Sequence, residues 1–371
     1  MSILEFKKRL QERSGTLNFQ SESMEYVSLS KETISRVDLA YGSMKGTDFS
    51  EAELFRVDLS DADLMQTNFS GVQAAYVSFA NATITDANFS NATIQNGSFN
   101  DADVRRTTFK GANLRWNTFK ETDCEQTIFD EANLSDADFN HAHCLLATFQ
   151  RAEMSSADFT GANCQQVNFS KADLKHVDFM DANLSHADFS GADLTGACFG
   201  DADIRHANFT GANLTGATFC EANLSHANFT GADLSGADLS DANLSHTNFT
   251  SANLTKADLS RADLTEMTLD KTTMTNVIVE WSRFEGVDLS TVWDAPSLFV
   301  NQLVLDKETI GVHYFAHSDW VFVGKWKGSL ADFKQWGESM KKSEHTQQVL
   351  AMHSYFESWR TLRGISSKRK K

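Results

Sequence analysis

The chain has 371 residues, is 41% apolar and carries a formal net charge of -17. Its single proline and 28 phenylalanines exclude a disordered low-complexity chain, which is rich in proline and poor in aromatics. The negative charge excludes a chain that coats nucleic acid, because phosphate calls for Lys and Arg.

The charge is uneven. Residues 291–371 hold 12 Lys and Arg against 8 Asp and Glu, or +4, which leaves 21 against 42, or -21, for residues 1–290. An acidic segment of that kind fits a basic partner. Five cysteines without C-x-x-C spacing point to a reducing compartment. The N-terminus lacks the apolar core of a signal peptide, and no run of eighteen apolar residues occurs. The expectation is therefore a cytoplasmic protein without a membrane partner.

In chain order, ILEFKKRLQER (residues 3–13) sets Ile3, Phe6 and Leu10 at helical spacing. A helix is expected there, within residues 1–16, as an N-terminal cap. From Phe19 nearly every fifth residue is Phe, Leu, Ile, Val, Met or Cys, in a frame that does not slip through Phe284 and Leu289. A small residue, usually Ala, stands two positions before it, and the residue directly before it is usually Asp, Asn or Thr. Five steps along an α-helix rotate a side chain about 140° past a full turn. On a flat strand an odd period alternates faces. A chain that turns a corner every five residues keeps both the large and the small residue inward, and four such sides close a square of twenty residues.

The motif A-(D/N)-L-x-x, as in ADLSG and ANLTG, resembles the pentapeptide repeat family over residues 17–290. The resemblance implies an all-β repeat rod, a right-handed quadrilateral β-helix with coils stacked about 4.8 Å apart. Columns then repeat every twenty residues. Phe139, Phe159, Phe179, Phe199 and Phe219 form one inward ladder, and Phe149 through Phe229 form the opposite one. Cys124, Cys144 and Cys164 form an inward column of buried thiols acting as apolar filler. His186, His206, His226 and His246 share one corner, and Asp181, Asp201, Glu221 and Asp241 share the next. The histidines are expected to be exposed, to titrate independently and to hold no metal, since a closed zinc site needs four ligands. Tyr76, Trp116 and Leu146 replace polar residues on the outside and are expected to add a contact strip.

After Pro296 the five-residue frame ends. Residues 291–371 are expected to form a small α+β module with a basic tail, KRKK. SLFVNQLVL and VHYFAHSDWVFVGKW read as two strands. A helix starts at Ser329 with Asp332 at its third position. A second helix, TQQVLAMHSYFESWRTL, sets Val349, Met352, Phe356 and Trp359 on one face and ends at Gly364. Trp320, Trp326, Trp336 and Trp359 make this module a candidate for docking a protein or for homodimer contact.

No P-loop, G-x-S-x-G, HExxH or dinucleotide fingerprint is present. The expectation is a non-enzymatic binding protein without cofactor, metal or direct nucleic-acid binding by the rod. The resemblance implies DNA mimicry, because members of the family that protect type II topoisomerases are understood that way. The alternative is an interaction scaffold, or an effector or phage accessory protein, with the rod as spacer and the C-terminal module docking a protein partner. The candidate partner-binding residues are Asp181, Asp201, Glu221, Asp241, the four histidines, Tyr76, Trp116, Trp326 and Trp359.

Overall fold

A computed structural model describes residues 3–11, 15–279, 282–283, 287, 299–305, 308–315, 320–323, 326–340 and 343–362. Helix α1 (Ile3–Gln11) comes first. Its apolar stripe meets the open end of the coil stack. Phe6 is fully buried, its ring lies 4.8 Å from that of Phe19, and Ile3 and Leu10 pack on the same core. Lys7 Nζ adds an ion pair to Glu32 at 2.6 Å. The helix covers backbone edges that would otherwise pair with other chains.

The stack itself is a right-handed quadrilateral β-helix, the hand that parallel β connections adopt. Strands β1 (Leu17–Asn18), β2 (Thr33–Asp38), β3 (Glu53–Asp58), β4 (Gln73–Ala75) and β5 (Thr93–Gln95) pair in parallel, in that order, with partners twenty residues apart. The same register continues as parallel bridges as far as Asp263 with Arg283. The frame at Phe284 and Leu289 lies outside the described residues.

Each corner is a four-residue turn. At one of them the Ala182 N–H donates to the Phe179 carbonyl at 3.1 Å. The third residue of the turn is left-handed, as a type II turn requires. Every fifth residue from Ser21 to Asn276 has φ between 51° and 69°. None of them is Val, Ile or Thr, whose branched Cβ is an outlier in that region.

Inside, the two phenylalanine ladders face one another. Rings within a ladder stack, as for Phe79 and Phe99 at 4.7 Å and 8°. Across the interior they meet edge to face, as for Phe79 and Phe89 at 5.6 Å and 83°. Both arrangements suit the ring quadrupole and add about 0.5–1.5 kcal/mol per pair beyond burial. Where Thr or Asn replaces Ala at the small inward position, it is fully buried but not orphaned. Thr107 Oγ1 donates to the Ile84 carbonyl at 2.6 Å, and Thr122 Oγ1 to that of Phe99 at 2.8 Å. The column of Cys124, Cys144 and Cys164 is buried, and all five cysteines are free. Burial pushes the Cys124 and Cys164 thiols well above their ordinary range.

The C-terminal residues have a core of their own. An antiparallel sheet runs β6 (Phe299–Leu305), β7 (Glu308–Phe315), β8 (Trp320–Val323), β9 (Trp326–Ser329) in chain order. This corrects the two-strand expectation. The run at 312–326 is a hairpin, with Phe315 opposite Trp320, followed by the start of β9. Its alternation masked the break between Phe315 and Trp320. Helix α2 (Leu330–Glu338) opens with a capping box between Ser329 and Asp332, as expected. Helix α3 (Ser343–Leu362) supplies Val349, Met352 and Phe356 to the core, where Phe356 stacks on Tyr314 at 4.9 Å. Pro296, Gly364 and the KRKK tail lie outside the described residues, as does the boundary at 290 and 291.

Candidate partner-binding surface

The residue before each large apolar one lies on the outer face of a wall. Its Asp or Asn side chain accepts the backbone N–H two residues on, an Asx turn. On one wall Asp138, Asp158, Asp178 and Asp238 accept from residues 140, 160, 180 and 240 at 2.8–3.1 Å. On the opposite wall Asn168, Asn208, Asn228 and Asn248 do the same at 2.9–3.2 Å. The turn needs an acceptor oxygen and is indifferent to charge.

Asn adds a second benefit that Asp lacks. Its amide reaches the next coil, as when Asn208 Nδ2 donates to Asp188 Oδ1 at 2.9 Å and Asn248 Nδ2 to Asn228 Oδ1 at 3.3 Å. Stacked Asp residues forgo that ladder and repel one another. The acidic wall therefore carries carboxylates that its turns do not require.

Asp181, Asp201, Glu221 and Asp241 stand on the corner that ends this wall, all exposed and all left-handed. The corner diagonally across, in the same coils, holds Gly191, Gly211 and Gly231. Arg261 clamps Asp241 through Nε at 2.7 Å, and that hydrogen bond holds the Asp241 carboxyl below its usual range. Asp181, Asp201 and Glu221 have no ion pair among the described residues. Asp181 thus adjoins Asp178, whereas beside Asp201 and Glu221 the wall carries Cys198 and Thr218, so the acidic line passes from the wall to the corner.

The four histidines stack on the next corner. Successive ring centroids are 4.8 Å apart and the planes diverge by 7° at most. All four are exposed. Partial burial, and then the charges of His186 and His226, hold the His206 imidazole below its usual pKa. His246 Nδ1 lies 3.2 Å from Glu266 Oε2. Parallel rings at this spacing aim their nitrogen lone pairs side by side rather than at one point, whereas zinc needs nitrogens converging at about 2.0–2.1 Å. Among the described residues no group of three or more His, Cys, Asp or Glu is placed to hold a metal ion.

Tyr76 and Trp116 are exposed by 55% and 56% and share a corner, two coils apart. Leu146 is exposed as well but stands on the diagonal corner, so the three do not form one strip. Trp326 lies on β9 and Trp359 on α3, and their side chains lie outside the described residues. Sequence reasoning missed the neighbours of Tyr76 and Trp116, namely Arg36, Arg56, Phe55 and Arg115. Taking every twentieth residue from Arg36 would have found the corner column.

Profiles of known families match this architecture. The profile for pentapeptide repeats matches in overlapping stretches from 109–143 to 252–290, and that for a pentapeptide repeat region matches 43–119. The chain belongs to the pentapeptide repeat family. Among solved structures this pentapeptide repeat protein is similar to HetL, involved in heterocyst differentiation regulation in the cyanobacterium Nostoc sp. strain PCC 7120, at 22% identity and a TM-score of 0.19, over 79% of this chain and 96% of that one. It is also similar to QnrB1, a plasmid-mediated fluoroquinolone resistance protein, at 14% identity and a TM-score of 0.21, over 71% and 92%. A third is a pentapeptide repeat protein of the Arabidopsis thaliana thylakoid lumen, at 36% identity and a TM-score of 0.17, over 30% and 67%. No curated protein matches the pentapeptide repeat chain.

Proposed function

We propose that this pentapeptide repeat protein is a non-enzymatic binder whose acidic wall occupies the basic, DNA-contacting surface of a protein partner. The observation that carries this reading is the stacked pair Asp158 and Asp178, in a role that Asn168, Asn208, Asn228 and Asn248 fill on the opposite wall beside a single Asp188, while Asp138 at the column's start is paired with Lys120 at 2.8 Å. With the corner carboxylates of Asp181, Asp201 and Glu221 it forms a line of negative charge on a stiff scaffold. Duplex DNA presents one charge per about 1.7 Å of axis, so the wall is a sparser copy of the same field. Lys and Arg set out for phosphates meet carboxylates instead. A type II topoisomerase is the kind of target this suits.

The experiment is competition. A labelled duplex is bound to a purified type II topoisomerase, and the full chain is titrated in. Displacement that weakens steeply between 50 and 500 mM salt (assay settings), and that the combined variant Asp158→Asn, Asp178→Asn, Asp201→Asn, Glu221→Gln reduces about tenfold or more, is the expected result. Displacement unaffected by both would sink the proposal and move attention to residues 291–371.

A further inference from the structure

The corner that carries Tyr76 and Trp116 reads Arg36, Arg56, Tyr76, Asn96, Trp116 at successive coils. We propose that it is a docking strip for a proline-rich peptide in the polyproline II conformation, with an acidic residue one turn beyond its prolines.

The period decides the conformation. Arg36, Tyr76 and Trp116 are evenly spaced by two coils, or about 9.6 Å at the sheet spacing of about 4.8 Å. One turn of polyproline II is three residues of about 3.1 Å, or about 9.3 Å, so residues i, i+3 and i+6 face one side in near register. Two turns of an α-helix advance about 10.8 Å and drift out of step. A β-strand covers about 9.9 Å in three residues, but its third residue points the other way. Aromatic side chains are what recognition surfaces for polyproline II segments present.

The platforms are held in place. Phe55 meets Tyr76 edge to face at 6.0 Å and 85°. The Arg115 guanidinium covers one side of Trp116 at 4.2 Å and is itself tied to Asp136 at 2.9 Å. Rings fixed in this way lose little freedom on binding. On the walls beside Tyr76, Gln73, Gln95 and Ser98 can hydrogen-bond the peptide backbone, which polyproline II leaves unpaired, while Glu53, Asp38 and Asp58 lie on the same walls beside the arginines.

The charge decides the far end. Corner arginines elsewhere pair with a carboxylate one coil away, as Arg106 does with Asp86 and Arg151 with Glu131. Arg36 and Arg56 stand one coil apart with no ion pair among the described residues: Asp38 and Asp58, two residues on, accept from the backbone of Ala40 and Ser60, and Arg56 lies over the Phe55 ring at 5.2 Å. A ligand carboxylate there would supply the ion pair. Since the chain has a single proline, the ligand comes from another protein and not from a second copy.

The test is fluorescence anisotropy of the full chain against an array of E-x-x-P-x-x-P peptides with varied x, beside scrambled peptides, a β-linked hexasaccharide and single-stranded DNA. Asn is the substitution of choice because Asn96 already occupies this left-handed corner. Members of the array should bind at least tenfold more tightly than scrambled ones. Trp116→Asn and Tyr76→Asn should each weaken binding about tenfold, as removal of an aromatic anchor does, with an unchanged melting temperature. Arg36→Asn should erase the preference for Glu over Gln at the first position. Scrambled peptides bound equally well, insensitivity to Trp116→Asn, or preference for the hexasaccharide or the DNA would overturn the proposal.

Discussion

Asn117 Oδ1 accepts the Gly97 backbone N–H at 2.6 Å, and a Cβ on residue 97 would stand 2.6 Å from that same oxygen. Asn117 is fully buried at a small inward position, with Nδ2 donating to the Ile94 carbonyl at 2.7 Å. The missing side chain at one coil makes room for the oversized one in the next. Gly97→Ala should cost about 1–3 kcal/mol by overpacking. In an Asn117→Ala background that cost should fall by about 0.5 kcal/mol or more, the coupling expected of residues in contact. It should not vanish, because Ile94 Cγ2 also lies 2.6 Å from the added Cβ. A denaturant double-mutant cycle measures it, and strict additivity would show that the contact is not felt.

The acidic wall should cost stability. Asp158→Asn and Asp178→Asn keep the Asx turn, remove a like-charge stack and offer amides for a ladder. Each should stabilise by about 0.2–1 kcal/mol, the range of cross-strand pairs. The gain should shrink at high salt, where the repulsion is already screened. Melting temperatures at low and high salt check this, and destabilisation at low salt would mean that these carboxylates serve the fold.

His206 sets a pH dependence. Its imidazole is held below its usual pKa by burial first and then by the two neighbouring histidines. As pH falls, the unfolded chain takes up the proton before the folded one. The stability tied to this group is present above the ordinary value of about 6.5 and is lost as pH drops through the lower folded value. In an NMR titration the His206 ring should show a midpoint below its ordinary value, and the His186→Asn, His226→Asn double variant should raise it. A midpoint at or above the ordinary value would contradict this electrostatic account.

The corner geometry gives a cleaner contrast. Lys171 is exposed with φ 61°. Lys171→Val should destabilise by about 1–2 kcal/mol because a branched Cβ fits poorly there, whereas Lys171→Gly should be neutral or stabilising. Equal effects of Val and Gly in thermal unfolding would remove the left-handed requirement.

The repeat, its inward ladders, the square cross-section and the shared corners are legible because burial has a period and a period survives in one dimension. The left-handed corner is written there too, in the absence of Val, Ile and Thr from every fifth position, but polarity alone is enough to explain that column. The distinction between Asp158 and Asn208 is not legible. Both satisfy the motif, and only the stacking of the coils shows that Asp158 stands against Asp178 while Asn208 bridges to Asp188. The clamp of Asp136 on Arg115 joins residues twenty-one apart and depends on side-chain reach. In the C-terminal module a continuous alternation conceals the hairpin at Phe315 and Trp320.

The corner every five residues also sets what changes of length the rod tolerates. Removing twenty residues, such as 182–201, deletes one coil and leaves every surface column aligned across the join. Removing five, such as 182–186, keeps each large residue inward, so the core still closes. Everything downstream is then turned by a quarter revolution. The acidic corner above the join would lead into the histidine column below it, and a continuous wall would become two half-walls at right angles. Two deletions that are equally harmless to the interior would differ wholly in what they do to the outside. Repeat gain and loss in such a rod can lengthen a surface or rotate it while every intermediate length still folds.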